Sequence, residues 1–297
     1  NGTGTGIGKG AGHGSFGARN GGGRRLMVMK HGGNKVTESA VDKALEWLAK
    51  HQEADGHWDT LKYEGHHKED TPVTGFALLA FLGAGHTEKV GKYKDNVARA
   101  TKWLMAQQKP DGMIEGGNNP GYGHSIAGLA LAEAAGMGRD PVVKEAAQKA
   151  VKWSIEVMQQ GEGSDKLGWR YGPKHLGDIS VSGWYTMQLK SAKVAGLQVD
   201  PASFDGAGKF LDTVMVEAPK PGDPYSGHKY GYIKDGNGPN GIRVKSTHCN
   251  TAIGCLMRQF LGTKPDELQG GVEYFIKEGG VPRAEHPEFY HWYYATL

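Results

Sequence analysis

The sequence has few cysteines, no long apolar run and no large excess of charge. Its two cysteines, Cys249 and Cys255, lie six residues apart in a segment that the hydrophobic pattern predicts to be helical. Six helical residues rise by about 9 Å, so an intact helix excludes a disulfide between them. The absence of any run of about 20 apolar residues excludes a membrane-spanning helix in this chain. The net charge of +3 predicts no strong attraction to nucleic acid or to a membrane surface.

Glycine, in contrast, is abundant: the chain has 48 glycines, about twice the usual share. Many of them fall in residues 1–36, where few large side chains can offset the entropy of ordering the chain. This segment is predicted to be a flexible tail or linker, separate from a domain at residues 37–297. Its GxGxxG-like pattern is no nucleotide-binding signal, because neither a predicted strand nor a predicted helix flanks it. A start at Asn1 without a signal-peptide pattern indicates a processed or excerpted chain, and the glycine-rich stalk favours an extracytoplasmic or cell-surface location.

After the tail the sequence repeats. Val41, Ala44, Leu45 and Leu48 follow the spacing of an amphipathic helix, and Thr37 is the predicted N-cap of that helix. Comparable helices follow at intervals of 50 to 65 residues, each marked by an aromatic residue: Trp47, Trp103, Trp153, Phe210 and Phe275.

Between these amphipathic helices lie segments that are apolar on nearly every face and rich in glycine and alanine. They cover residues 71–83, 123–135, 179–195 and 247–261. A helix without a polar face has to be buried on all sides. Alternating amphipathic and apolar helices therefore predict an all-α, two-layer ring of helical hairpins with the apolar helices inside and Trp47 and Trp103 wedged between neighbours.

The aromatic positions carry a recognisable signature. Trp47-Leu48, Gln52, Gly56 and Trp58 resemble the QW-type repeat of terpenoid cyclases and protein prenyltransferases, and of bacterial proteins with prenyltransferase/squalene-oxidase repeats. Degenerate copies occur at Trp103, Gln107 and Gly112 and at Trp153, Gly168 and Trp169. The resemblance implies an α/α toroid of about five helical hairpins. Because the fifth apolar helix starts near Tyr290 and the sequence stops at Leu297, an incomplete ring is one expectation.

In such a toroid, the first residues of the inner helices gather at one mouth of the central cavity. The resemblance therefore makes Asp70, His124 and Asp178 the candidate catalytic residues, although the two aspartates also suit helix capping. The cyclases use an acidic DxDD motif, which this chain lacks. Its nearest stretch, Lys68-Glu69-Asp70-Thr71, has no second aspartate to keep one acid protonated.

A zinc site is the alternative. In the prenyltransferases an Asp-x-Cys motif opens one inner helix and a histidine opens a later one. Cys249 and His291 match two of these positions, but Thr247 stands where the aspartate is expected. His248 could replace it, since histidine and thiolate are both good zinc ligands. The competing interpretation is that these side chains are polar residues of the cavity without a metal.

Because both catalytic signatures are incomplete, the sequence favours a non-catalytic toroid that serves as a binding or assembly module without a cofactor. A glycine-rich backbone can lie in a groove and pair through its N–H and C=O groups, so the tail is predicted to dock on a second copy and give a homo-oligomer or polymer. An apolar or carbohydrate ligand in the cavity is a further expectation. The alternative function is a zinc-dependent prenyl or alkyl transferase, or a cyclase-like enzyme with an apolar cavity.

Overall fold

A computed structural model describes residues 16, 19, 21–63, 65–117, 119–216, 229–233, 246–280, 283, 285 and 287–297. Within them the protein has eleven α-helices and one antiparallel pair of two-residue strands, β1 (Met215–Val216) and β2 (Lys229–Tyr230). The all-α prediction is confirmed. Predictions that concern residues 1–15 fall outside the described part of the chain.

The helices form five successive pairs after an extra first helix. In chain order they are α1 (Gly21–Lys30), α2 (Lys35–His51), α3 (Asp70–Gly83), α4 (Lys94–Ala106), α5 (Pro120–Gly138), α6 (Pro141–Trp153), α7 (Ile179–Val194), α8 (Pro201–Val214), α9 (His248–Leu261), α10 (Pro265–Gly279) and α11 (Phe289–Ala295). The odd-numbered helices from α3 onward are the apolar ones, and four of them match the predicted segments within a few residues. α1 was not expected, because its three leading glycines argue against a helix.

The first turn of α2 shows how local sequence sets a helix boundary. Asn34, not Thr37, is the N-cap: its side chain accepts the N–H groups of Val36 at 2.8 Å and Thr37 at 3.2 Å. The Thr37 hydroxyl accepts the Asn34 N–H at 2.9 Å, which completes a capping box. The predicted cap at Thr37 was therefore wrong by three residues.

The described residues fall into two compact units. The first unit contains the residues up to Glu156 together with Gln188–Val199, and the second contains Val157–Met187 and the residues from Asp200 onward. In the first unit α3 packs against α4 and α5, and α5 packs against α6. In the second unit α9 packs against α8, α10, α11 and β2. The predicted boundary between a tail at 1–36 and a domain at 37–297 stays a prediction.

Burial follows the apolar pattern along α5 but not along α2, where Leu45 is buried and Val41 and Ala44 are exposed. Residues 123–135 of α5 are buried throughout, and both cysteines are free thiols on α9, as expected. Phe76 on α3, predicted to be buried, is 38% exposed. Trp47, predicted to wedge between hairpins, is 50% exposed and stacks on His51 of its own helix with ring centroids 4.0 Å apart. None of the described helices has the length and apolar character needed to cross a membrane.

Candidate functional site

In the loop of the first repeat, the side chain of Gln52 joins the loop to the next amphipathic helix. This arrangement is called the glutamine clamp. The Gln52 side-chain amide donates to the backbone oxygen of Gly56 in its own loop and to that of Asn96 on α4, both at 2.9 Å. Gly56 has φ +111, and a Cβ at this position would lie 2.5 Å from the backbone oxygen of Arg99. The loop thus lies directly against the next amphipathic helix, and Gln52 joins the two.

The second repeat makes the same clamp with Gln108, whose amide donates to Gly112 O at 3.1 Å and to Ala146 O on α6 at 2.9 Å. Gly112 has φ +101 and approaches the backbone of Lys149. The sequence pattern had suggested Gln107, but the amide of Gln107 instead donates to Trp103 O at 3.1 Å, one turn back on its own helix.

In the second unit Gln159 forms the third clamp, donating to Leu167 O at 2.8 Å and Ser203 O at 3.0 Å. The clamp glutamine follows the repeat tryptophan by five residues in the first two repeats and by six here. The added residue coincides with a π-helical turn at Ser154–Met158, a wider turn that accommodates one extra residue.

A second contact also recurs in all three repeats. After each clamp one backbone N–H donates to a polar side chain on the following apolar helix. The pairs are Trp58 to Thr74 Oγ1 at 3.2 Å, Ile114 to His124 Nδ1 at 2.9 Å and Trp169 to Ser182 Oγ at 2.9 Å. His124 thus holds the position that threonine and serine hold elsewhere, and its role there is to accept a hydrogen bond.

The second ring nitrogen of His124 also has hydrogen-bond partners. Because Nδ1 accepts from Ile114, Nε2 carries the proton, and it lies 2.9 Å from Ser154 Oγ and 3.1 Å from Ala150 O. Ser154 Oγ in turn lies 2.9 Å from Gln188 Oε1. Complete burial lowers the pKa of His124 from 6.5 to about 4, against a smaller opposing effect of the hydrogen bond to Ala150. The ring is therefore neutral at physiological pH.

Asp70 is the first residue of α3 but does not cap it, because the N-cap is Glu69 and no side chain makes a cap bond there. One carboxylate oxygen of Asp70 accepts the backbone N–H of Thr60 at 3.0 Å and its hydroxyl at 2.9 Å. The other oxygen lies 3.9 Å from Lys68 Nζ and 4.0 Å from His57 Nε2. Asp70 therefore holds the preceding loop, and its interpretation as a helix cap was wrong.

Asp178, in the second unit, does act as a cap. Its Oδ1 accepts the N–H of Val181 in the first turn of α7 at 2.8 Å. Its Oδ2 lies 3.8 Å from Nε of Arg170, a residue that the sequence reasoning missed. Burial raises the pKa of Asp178 to about 6, although the Val181 N–H, the Arg170 charge and a hydrogen bond from Tyr232 oppose that effect.

The metal candidates lie near the starts of α9 and α11. His248 Nε2 lies 2.8 Å from an oxygen of Glu288, and the His248 ring lies edge-on to His291 with centroids 4.6 Å apart. Sequence reasoning missed Glu288, because it precedes α11 rather than opening it. Thr247, at the position expected for an aspartate ligand, caps α9 by accepting the Asn250 N–H at 3.0 Å.

Cys249 lies beside this cluster. Burial and the negative charge of Glu288 raise the pKa of its thiol to about 11, so a zinc ion that bound here would have to displace the thiol proton. Among the residues that the structure describes, no three histidine, cysteine, aspartate or glutamate side chains are grouped so that they could hold a metal ion. The residues as placed do not fit a zinc centre, and none of the candidate catalytic residues is part of this cluster.

The succession of helix pairs defines the class: the chain is an α/α-toroid protein of about five helical hairpins. Residues 8–127 match the squalene-hopene cyclase C-terminal domain. A solved structure of endo-β-1,4-glucanase CMCax from Acetobacter xylinum is similar with a TM-score of 0.55 and 12% identity, over 86% of this chain and 95% of that one. At this identity the likeness concerns the fold alone. No curated protein matched the sequence. Over residues 8–127 the chain is thus similar to terpenoid-cyclase-like α/α toroids.

Proposed function

We propose that this α/α toroid is a non-catalytic module for binding and assembly. The observation that carries the proposal is the repeated hydrogen bond in which Thr74, His124 and Ser182 play the same part. Because Thr74 and Ser182 make the same contact in the other repeats, His124 is needed there only as a hydrogen-bond acceptor. That role requires no acid–base chemistry. Asp70 is likewise engaged with its own loop. Asp178 caps α7, so each of the three candidate catalytic side chains has a structural task.

The assembly part of the proposal rests on the N-terminal region. Leu26 and Met29 on α1 are 71% and 66% exposed, and Val36 at the start of α2 is 79% exposed. Exposed apolar side chains grouped within a short stretch favour association, and the glycine-rich segment adjoins them in sequence. The proposed occupant of this surface is a second copy of the chain.

Replacing Leu26 and Met29 together by glutamate is expected to convert an oligomeric protein to a monomer, because charge on this surface opposes its burial. Light scattering after size-exclusion chromatography measures the mass. Val142→Glu is the matched control, since Val142 is 63% exposed elsewhere on the same unit. Deleting residues 1–15 separates a contribution of the tail from that of α1. A wild-type chain that is already monomeric contradicts the assembly proposal, as does an oligomer that survives both changes.

A zinc-dependent transferase is the alternative that the resemblance implied. The edge-on contact of the His248 and His291 rings is the observation in its favour, although the described residues include no group of three side chains that could hold a metal ion. If it is correct, protein purified without chelators contains about one zinc per chain by elemental mass spectrometry, and Cys249→Ala removes that zinc. Cys255→Ala, six residues along the same helix, is the control. Zinc well below one equivalent in the wild-type protein eliminates this candidate.

The name of the glucanase neighbour makes β-1,4-linked carbohydrate the first ligand class to test for a binding module.

A further inference from the structure

Phe16 packs into a notch on the surface of the first unit. Its side chain is buried, at 8% exposure, and its ring lies over Gly136 on α5. A Cβ placed on Gly136 would lie 2.4 Å from Cε2 of the ring and 3.1 Å from the Cβ of Ala195. Because real Cβ atoms do not approach so closely, only glycine at position 136 leaves room for the ring. The notch is thus shaped to an aromatic side chain.

A buried carboxylate adjoins the notch and receives the charge of Arg19. Glu133 lies one helical turn before Gly136, is 8% exposed, and pairs with Arg19 at 2.5 Å between Oε2 and Nη1. The Ser191 hydroxyl donates to the other carboxylate oxygen at 3.1 Å. A carboxylate removed from water needs such partners, and a guanidinium supplies two parallel donors.

Phe16 and Arg19 also interact with each other. The Arg19 N–H donates to the Phe16 backbone oxygen at 3.2 Å, which closes a turn, and the Arg19 guanidinium carbon lies 5.4 Å from the centre of the Phe16 ring. The turn brings an aromatic ring and a cation three residues apart to the same face. That spacing matches Gly136 and Glu133, which are themselves three residues apart on α5.

We infer that Glu133, Gly136, Ser191 and Ala195 form a docking site, here called the Phe-Arg notch, for a segment of the form Phe-x-x-Arg. Its occupants are Phe16 and Arg19 of the same chain. The aromatic ring fills the space above Gly136, and the guanidinium neutralises Glu133. The segment thereby fixes the root of the N-terminal region to its own first unit, so any contact with a second copy is left to the residues before Phe16 and to α1. The inference does not depend on the proposed self-association, because Leu26 and Met29 are not part of the notch.

A peptide experiment on the full-length chain tests the notch. The substitutions F16A and R19A together remove both anchoring side chains and leave the notch vacant. A fluorescent peptide with the sequence of residues 13–20 is then expected to bind this variant at least tenfold more tightly than it binds the wild-type chain, as measured by fluorescence anisotropy. Adding Glu133→Gln to the variant is expected to weaken peptide binding at least tenfold, and a peptide with alanine in place of Phe16 is expected not to bind.

Two results would overturn the inference: a folded F16A/R19A variant that fails to bind the peptide, or equal binding by the wild-type chain. A wild-type oligomer that dissociates when the peptide is added would place the occupant on a second copy, and that outcome also contradicts docking within one chain.

A second variant keeps both anchoring side chains. Gly136→Ala favours the helix of α5 but places a methyl group where the Phe16 ring lies, so trypsin cleavage after Arg19 should accelerate at least tenfold. Gly83→Ala is the control, because Gly83 is also helical and has open space around it. Cleavage at the wild-type rate in Gly136→Ala counts against the notch.

Discussion

Replacing Gly112 by alanine is expected to lower the free energy of unfolding of the first unit by more than about 3 kcal/mol. Two effects add. The φ of +101 is a conformation that residues with a Cβ rarely adopt, and the new Cβ would lie 2.4 Å from the backbone oxygen of Lys149. That oxygen belongs to α6 and cannot move without shifting the helix. The backbone oxygen of Gly112 also accepts from the Gln108 clamp, so displacing the loop breaks that bond as well.

The matched control is Gly196→Ala in the same unit. Gly196 has φ +75, but no atom lies within 4 Å of an added Cβ. Alanine there should cost only the conformational strain, about 1–2 kcal/mol. Urea denaturation followed by circular dichroism gives both values. Equal losses of unfolding free energy at the two positions would contradict this prediction. They would show that backbone strain accounts for the whole loss and that the close approach of loop and helix contributes nothing to it.

The stability of the protein is expected to fall between pH 6.5 and pH 4 because of His124. The folded protein holds this ring neutral with a pKa of about 4, whereas the ordinary value is 6.5. Below pH 6.5 the unfolded chain therefore binds a proton that the folded chain does not, and stability decreases as the pH falls. The loss is about 1.4 kcal/mol per pH unit, or about 2 kcal/mol at pH 5, and above pH 6.5 the full contribution is present.

His124→Gln isolates this effect from the other histidines. At pH 7.5 the wild-type chain should be more stable than the variant by about 1–3 kcal/mol, because glutamine cannot satisfy the same buried partners. At pH 5 that difference should shrink by about 2 kcal/mol, because the variant has no ring to protonate. Denaturation curves at both pH values supply the four free energies. A difference that stays constant with pH would mean that His124 is not held neutral in the folded state.

The helix pattern could be predicted from the sequence because the apolar helices carry a strong signal. Residues 123–135 have no polar face, and a helix of that kind has only one stable environment. α1 could not be predicted, since intrinsic propensity opposes three glycines at a helix start. The exposure of Trp47 was also missed, because a repeated aromatic residue indicates packing in general but does not distinguish contact with a neighbouring hairpin from contact with its own helix.

The sequence located the candidate catalytic and metal-binding residues but did not predict what each of them does. A histidine at the start of an apolar helix resembles a catalytic residue in the sequence, and only the structure shows that Thr74 and Ser182 hold the equivalent positions. Glu288 carried no sequence signal, because an acidic residue before a helix is usually solvated or capping. Its proximity to His248 arises from tertiary packing between segments 40 residues apart.

The recurring hydrogen bond from the loop to the next helix also bears on how repeats of this kind diverge. The position after each clamp requires an acceptor of suitable reach, and within one chain it is met by a hydroxyl at Thr74 and Ser182 and by an imidazole at His124. After duplication such a position can change its chemical character without losing its geometry. A similarity score that counts identical residues treats these three as unrelated, whereas a score that counts acceptors would align them. A histidine in one copy of such a repeat is therefore best compared with its sister positions before it is assigned a reaction.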